Sequence, residues 1–390
     1  MHGPCLTAIT SQLTINNVLY TTEAIIDKHQ GISIILPTFN ESGSINEMIL
    51  SLLELTQHHQ IEILIVDDDS ADGTANIVRE LARQDSRIRI IQRVGRSGLA
   101  SAIKEGLIAA VHPLAIVMDS DGQHEPLSVQ KAFEELRAGS DLVAGSRFLD
   151  RSEIHGLSSR RTDGSTMANR LARWSLPKSY AHLTDYMSGF IALKLDVCLP
   201  FVRKVDVNGF KFLYELLAIS KGQLRITEIP LRFQPRLHGN SKLDYAVLWD
   251  FLISLIHTFT FRLLPRRAIS FGLVGASGVV IQLLSTFILM TIGLSFSQSL
   301  PLAVITSASS NYLVNNILTF GDRRQKGRQL LKGLLKFLLV ASLPSLANVG
   351  LATGFYNMVQ SHAVLAQLAG IIVVYIWNYA ASSRFVWNTP

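Results

Sequence analysis

Only two cysteines occur in this 390-residue chain, Cys5 and Cys198. So few thiols, so far apart, fit a reducing compartment and exclude a disulfide framework or a zinc site built on thiols. The first thirty residues have no basic segment followed by an apolar one, so no secretory leader is expected. No nucleic-acid recognition motif accompanies the net charge of +6, which points instead to anionic lipid and phosphate partners. Charge itself is missing from two long segments. No Asp, Glu, Lys or Arg occurs from Ala268 to Gly321, and none from Phe337 to Ser383.

A membrane-crossing helix needs roughly 20 mostly apolar residues, so each uncharged segment has room for two passes. The expected spans are about Ile269–Leu294, Leu300–Phe320, Phe337–Met358 and Ala363–Ser383. Four such spans in succession argue against a buried helical core. Arg262, Arg266 and Arg267 precede the first span, and Arg323, Arg324, Lys326, Arg328, Lys332 and Lys336 fill the connection between the second and third. The other two connections carry no Lys or Arg. Basic loops stay cytoplasmic, so an integral, multi-pass membrane protein is expected, with its N-terminal domain and both termini in the cytosol. The segment Tyr245–Leu264 places Trp249, Leu252, Ile256, Phe259 and Leu263 on one side of a helix, a pattern for an interfacial helix or for an ordinary packed one. The expected organisation is a tail over 1–30, a soluble domain over 31–245, an amphipathic linker over 246–267 and a membrane domain over 268–390.

The soluble part alternates strand and helix. Apolar β-rich runs at Ile32–Leu36, Ile61–Val66, Ile88–Ile91, Leu114–Met118 and Leu142–Ala144 alternate with helical spacing at Asn46–Leu55, Ala75–Ala82, Leu99–Ala110 and Leu127–Leu136. That rhythm predicts an α/β domain whose parallel sheet is covered on both faces. Ligands of such sheets bind beyond the carboxyl ends of the strands. The polar clusters Pro37–Glu41, Asp67–Ser70, Asp119–Gln123 and Ser146-Arg147 all fall there. Most informative is Asp119-Ser-Asp121, where a buried strand ends in two carboxylates pointing the same way. Such a pair suits Mg²⁺ or Mn²⁺ carrying a diphosphate. Glu41 and Asp67, acceptor-only groups at strand tips, suit ribose hydroxyls and the N–H donors of a base. Asp69 and Ser70 are expected to cap the following helix.

In order and spacing, Pro37-Thr-Phe-Asn-Glu41, Asp67-Asp-Asp-Ser-Ala-Asp-Gly-Thr74, Gly98-Leu-Ala-Ser-Ala102, Asp119-Ser-Asp-Gly-Gln-His124 and Gly145-Ser-Arg147 resemble family-two glycosyltransferases of the GT-A (Rossmann-like) fold. Asp185-Tyr-Met-Ser-Gly-Phe190, Gly209-Phe-Lys211 and Arg236-Leu-His-Gly-Asn-Ser-Lys242 look like the dolichyl-phosphate (polyprenyl-phosphate) mannosyltransferase branch. The resemblance covers about residues 30–245. From Ala268 onward the chain resembles the four-helix GtrA-like membrane family, through Asn311–Phe320 and Trp377-Asn-Tyr…Arg384-Phe-Val-Trp387.

The resemblance implies site residues. Pro37, Phe39, Glu41, Ile65 and Asp67 would form the nucleoside pocket, with Phe39 standing where a tyrosine is common. Asp119 and Asp121 would hold the metal, joined by Gln123, and the Ser120 backbone would touch the donor. Arg236 and Lys242 would grip the nucleotide sugar. Arg147, Arg161 and Ser165 would cradle the lipid phosphate, with Arg160 competing with Arg161 for its place. Asp121 and Arg147 are the expected catalytic groups. His124, following a turn, is not read as a base. A phosphomonoester acceptor has a second pKa near 6 and is already largely dianionic, so no base is required. An in-line displacement would invert the anomeric centre, turning GDP-mannose and a polyprenyl phosphate into a β-linked lipid phosphate sugar. Two alternatives stand beside this: the same fold using UDP-glucose or another nucleotide sugar, and a lipid-linked sugar flippase whose cytosolic domain only binds nucleotide sugar. Processive synthases usually carry Gln-x-x-Arg-Trp; here Arg170 occupies the Gln position before Arg173-Trp174.

Overall fold

The computed structural model describes residues 31–56, 60–95, 98–122, 125–149, 159–206, 211–231, 245–342 and 363–388, with backbone alone for 159–165, 245–247, 322 and 363–371. The chain divides into two compact units, Met1–Phe251 and Leu252–Pro390.

The first unit is built on a 7-stranded sheet in the order β3-β2-β1-β4-β6-β5-β7. Its first strands, β1 (Ile32–Thr38), β2 (Ile61–Asp67), β3 (Ile88–Gln92) and β4 (Leu114–Val117), pair in parallel. Every residue of β1, β2 and β4 is buried, as near-continuous apolar runs require when both faces of a sheet are covered. The covering helices bury residues at helical spacing. In α1 (Ile45–Leu55) these are Ile45, Met48, Ile49 and Leu52. After α2 (Thr74–Gln84) and α3 (Leu99–Ala109), helix α4 (Leu127–Arg137) buries Val129, Ala132, Phe133 and Leu136. In α3, Gly106 lets the helix lie against Ile35, since a Cβ there would stand 2.5 Å from the Ile35 side chain.

The second half departs from the all-parallel expectation. After β5 (Leu142–Ser146) and α5 (Ser159–Ser175), strand β6 (Ile191–Lys194) inserts antiparallel between β4 and β5. A four-residue strand, Ile-Ala-Leu-Lys, carries no signal of its direction; the path of the chain sets it. Then come α6 (Leu195–Val202), α7 (Phe212–Ser220) and β7 (Ile226–Pro230), which pairs parallel to β5. The result is a mixed sheet. Because β6 runs backwards, its first residue Ile191 lies opposite Val117 of β4 and Ala144 of β5. The segment entering β6 is thereby delivered to the edge where β4 and β5 end.

Helix α8 (Tyr245–Phe259) follows, burying Phe251, Ile253 and Leu255 while Leu252 and Phe259 stay exposed. The second unit contains α9 (Arg266–Thr291), α10 (Phe296–Leu318), α11 (328–342) and α12 (Ala363–Ala381). Among the described residues, α9 is the one helix long and apolar enough to cross a bilayer. Close approach of α9 and α10 is sealed by Ser307 Oγ donating to Gly278 O at 2.7 Å and by Ser270 and Thr319 hydroxyls 2.7 Å apart. One end is closed by a cluster of Phe271, Tyr312, Phe320, Phe337, Val386 and Trp387, with Phe320 and Trp387 stacked at 4.1 Å. The third expected span, from Phe337, begins inside α11, which itself starts at 328 among basic residues. Residues 343–358 of that span lie outside the described residues.

Candidate active site

The carboxyl ends of β1, β2 and β4 form one edge of the first unit. Past β1, Phe39 is 44% exposed at a strand tip. Asn40 follows in the left-handed region, φ 57°, which Asn tolerates better than most residues. Asp67 at the tip of β2 is fully buried. Its carboxylate accepts from Thr38 Oγ1 at 3.2 Å, Ser70 Oγ at 2.6 Å and Ser70 N at 3.0 Å. Ser70 therefore secures Asp67 instead of capping α2, whose N-cap is Gly73 at φ 93° with no side-chain cap. Asp69 is not a cap either; it accepts from Gln92 Nε2 at 2.9 Å. Pro37 and Ile65 are buried within the strands, and the Ile65 side chain belongs to the apolar core, so only its backbone could meet a nucleoside.

A second tier holds this loop. Ser42 N donates to Asp72 Oδ2 at 2.9 Å, and Thr74 Oγ1 donates to Asp72 Oδ1 at 2.6 Å while accepting from Glu41 N at 3.0 Å. Partial desolvation alone would raise the Asp72 carboxyl, but these hydrogen bonds outweigh it and hold it at about 2. Next to it, Asp68 is paired with buried Arg93 and accepts from Gly98 N at 2.7 Å. Burial nevertheless leaves the Asp68 carboxyl above its ordinary value.

The Asp119–Asp121 turn stands in the middle. Ser120 Oγ donates to Pro37 O at 3.2 Å, and Ser44 Oγ lies 3.0 Å from both Ser120 O and Glu41 Oε2. Those contacts tie the turn to the Phe39–Glu41 side. On the other side, Gly189 passes so close to Asp119 that a Cβ there would stand 2.8 Å from Asp119 Oδ2. Gly122, at φ 78°, makes the sharp turn after Asp121.

Beyond Asp119 lies a charged cluster. Arg147, just past β5, meets the buried carboxylate of Asp185 through two parallel contacts, Nε to Oδ2 at 2.7 Å and Nη2 to Oδ1 at 3.0 Å. Asp185 is held in turn by Glu228 of β7, which accepts from Thr184 N at 2.8 Å and from Asp185 N at 2.9 Å. Asp119 is within electrostatic reach of Arg147 and also of Lys211, the residue preceding α7. Burial lowers the proton affinity of Lys211, and the like charge of Arg147 lowers it further, against the pull of Asp185 and Asp119. For Arg147 burial acts in the same direction, but Asp185 overrides it and the guanidinium is held above its ordinary value.

The expected residues Pro37, Phe39, Glu41, Asp67, Asp119, Ser120, Asp121 and Arg147 thus gather along one sheet edge. Gln123, Arg236 and Lys242 lie outside the described residues, and Arg161 and Ser165 are on α5 in its backbone-only part. Asp185, Gly189, Lys211 and Glu228 were not among the expected site residues. The first three sit in segments singled out only for resemblance, and their place depends on the backward run of β6.

Among the described residues no three His, Cys, Asp or Glu side chains cluster as a metal site. Asp119 and Asp121 nonetheless form a fitting half-site for a hard divalent cation: two carboxylates on one turn, in a cradle that a Cβ at Gly189 would fill, with room in the chemistry for diphosphate oxygens to complete the shell.

Comparison with known proteins gives two matches along the chain. Residues 33–195 match "Glycosyl transferase family 2" and residues 270–387 match "GtrA/DPMS, transmembrane domain". A dolichol-phosphate mannosyltransferase from Pyrococcus furiosus is 29% identical over 360 residues, covering 92% of this chain and 99% of its own length. The dolichol-phosphate mannosyltransferase of Saccharomyces cerevisiae is 33% identical over 61% of this chain and 91% of its own. Polyprenol monophosphomannose synthase from Mycolicibacterium smegmatis is 31% identical over 54% and 80%. Among solved structures, glucosyl-3-phosphoglycerate synthase from Mycobacterium tuberculosis in complex with Mn²⁺, UDP-glucose and phosphoglyceric acid aligns with a TM-score of 0.46 at 21% identity, over 59% of this chain and 79% of that one.

Proposed function

The chain is a membrane-attached glycosyltransferase belonging to glycosyl transferase family 2, together with the dolichol-phosphate mannosyltransferases, and from that premise we propose that it transfers mannose from GDP-mannose to a polyprenyl phosphate at the cytoplasmic face of the membrane. The observation that carries this reading is the bridging place of the Asp119–Asp121 turn. It is hydrogen-bonded to the Pro37–Glu41 side, suited to a nucleoside, and lies within electrostatic reach of the Arg147–Asp185–Lys211 cluster, suited to phosphate.

Asp119 and Asp121 would hold Mg²⁺ or Mn²⁺, with Gln123 as a further ligand. The ion would supply charge neutralisation at the leaving nucleoside diphosphate. Phe39 stacks on the base and Glu41 accepts from ribose or base, while Asp67, buried and bonded to Thr38 and Ser70, holds the strand tips beneath them. Arg147 and Lys211, together with Arg161 and Ser165, bind the acceptor phosphate and aim its oxygen at the anomeric carbon. Arg236 and Lys242 close on the donor phosphates. Because the acceptor arrives as a dianion, these residues provide orientation and charge stabilisation rather than proton abstraction. A single displacement gives the β-linked product. The uncharged spans of the second unit retain the enzyme in the bilayer, and α8, with Leu252 and Phe259 exposed, lies at the headgroups.

The test is incubation of membranes with several labelled nucleotide sugars and a polyprenyl phosphate. Chloroform-extractable label from GDP-mannose, dependent on divalent cation and abolished by Asp121→Ala, is the expected result. Preferential label from UDP-glucose would assign the other donor. No transfer from any nucleotide sugar, with nucleotide binding intact, would favour the flippase reading.

A further inference from the structure

From residue 252 to the end, the chain carries ten Lys and Arg residues and a single acidic one, Asp322. Acidic side chains are therefore scarce in the second unit. Three of these cations stand in a row. Arg328, Lys332 and Lys336 recur every fourth residue on α11 and are exposed, about 6 Å apart along the helix axis. Beside them runs a parallel row of Leu331, Leu335 and Leu339, which are 63%, 56% and 69% exposed. The opposite side of the helix is packed: Leu330, Leu334, Phe337 and Ala341 lie in or against the Tyr312–Trp387 cluster.

This side cannot roll inward. Gly333 lets the Gln325 side chain and the Tyr312 hydroxyl press onto the helix, where any Cβ would collide with both. The preceding loop is pinned as well. Gln325 N donates to Asn316 Oδ1 at 2.9 Å, Asn316 Nδ2 donates to Gln325 O at 3.1 Å, and Trp387 Nε1 donates to Asn316 Oδ1 at 3.2 Å. A fixed row of cations is therefore presented beside a fixed row of bare leucines, in a unit matched to a transmembrane domain.

We propose that this side of α11 is a binding site for anionic phospholipids of the surrounding bilayer, distinct from the acceptor-phosphate site at Arg147. Phosphodiester headgroups pair with Arg328, Lys332 and Lys336, whose alkyl stems follow the helix surface, while acyl chains cover Leu331, Leu335 and Leu339. A soluble anion would satisfy the cations but leave the leucines bare.

The test uses the full-length protein in bilayers of phosphatidylcholine containing spin-labelled phosphatidylglycerol or spin-labelled phosphatidylcholine, read as the motionally restricted fraction. The wild type is expected to restrict phosphatidylglycerol preferentially. The combined Arg328→Gln, Lys332→Gln and Lys336→Gln variant is expected to lose that preference, at about fivefold in relative association per cation, the equivalent of about 1 kcal/mol each. Arg83→Gln, which removes an exposed charge in the first unit, should leave it intact, and an unchanged melting temperature of the triple variant in pure phosphatidylcholine excludes misfolding. A preference surviving in the triple variant, a wild type with no preference, displacement by inorganic phosphate as effective as by lipid, or displacement by polyprenyl phosphate alone would each overturn the proposal.

Discussion

Asp185 holds Arg147 at two points, through Nε and Nη2, while its own backbone N–H is held by Glu228 of β7. The carboxylate is fully buried, so the guanidinium has a fixed plane and a fixed edge. Replacing Asp185 by Asn keeps the volume but sets an N–H₂ donor against a guanidinium that only donates. Asp185→Asn is therefore expected to destabilise the protein by about 3 kcal/mol, as loss of one partner in a buried pair does. It should also lower kcat/KM for the acceptor on the order of a hundredfold by displacing Arg147. Thermal unfolding together with kinetics at varied polyprenyl phosphate checks both; an unchanged kcat/KM would remove Asp185 from the positioning role.

Gly189 passes close beside Asp119. A methyl group there would stand 2.8 Å from Oδ2, nearer than real contacts allow, so the carboxylate must turn away. Since Asp119 is read as a metal ligand, Gly189→Ala should weaken Mn²⁺ binding by about tenfold or more, the usual cost of disturbing a ligand's surroundings. Titration calorimetry of Mn²⁺ in the presence of GDP measures it. Equal affinities for the variant and the wild type would mean that Asp119 does not bear on the ion.

Phe39 stands at the tip of β1 with 44% of its surface open. Stacking of a base on an aromatic face contributes roughly 1–3 kcal/mol. Phe39→Ala should therefore raise the inhibition constant of GDP by about tenfold or more, while Phe39→Tyr should leave it close to that of the wild type. Inhibition assays with GDP and UDP, run side by side, check both expectations and rank the two bases.

Most of this edge is legible in the sequence, because β1, β2, β4 and the helices between them are long enough to display their periodicity. The runs Ile32–Leu36 and Ile61–Val66 became β1 and β2 nearly residue for residue, and the Asp119–Asp121 turn falls just beyond β4 as the strand reading required. Ser70 misled because Asp, Asn and Ser before a helix usually cap it; here its hydroxyl and N–H are both spent on Asp67, and Gly73 opens the helix. The Asp185 side of the site was hidden for a different reason. Four residues, Ile191–Lys194, do not declare whether a strand runs forward or back. Only the antiparallel choice brings the preceding segment, with Asp185 and Gly189, to Arg147 and Asp119.

Asp72 offers a pH signature for the loop that carries Phe39 and Glu41. Partial desolvation would raise this carboxyl, but hydrogen bonds from Thr74 and from the Ser42 backbone bring it down from 3.8 to about 2. A carboxyl whose folded value lies below its unfolded one contributes stability that is present above the unfolded value and is lost as pH falls through the folded value. The contribution should therefore be complete above about pH 4 and disappear between about pH 4 and pH 2. Because Asp72 is exposed, solvent screening makes it small, and a direct titration is the better readout than global stability. Carbon-detected NMR of the Asp72 carboxyl should report a midpoint near 2 in the wild type. Thr74→Val removes the hydroxyl that donates to Asp72 and accepts from Glu41 N, so the midpoint should move up toward 3.8 and the Glu41 amide should exchange faster. A midpoint already at 3.8 in the wild type would show that Asp72 does not tie the loop in solution.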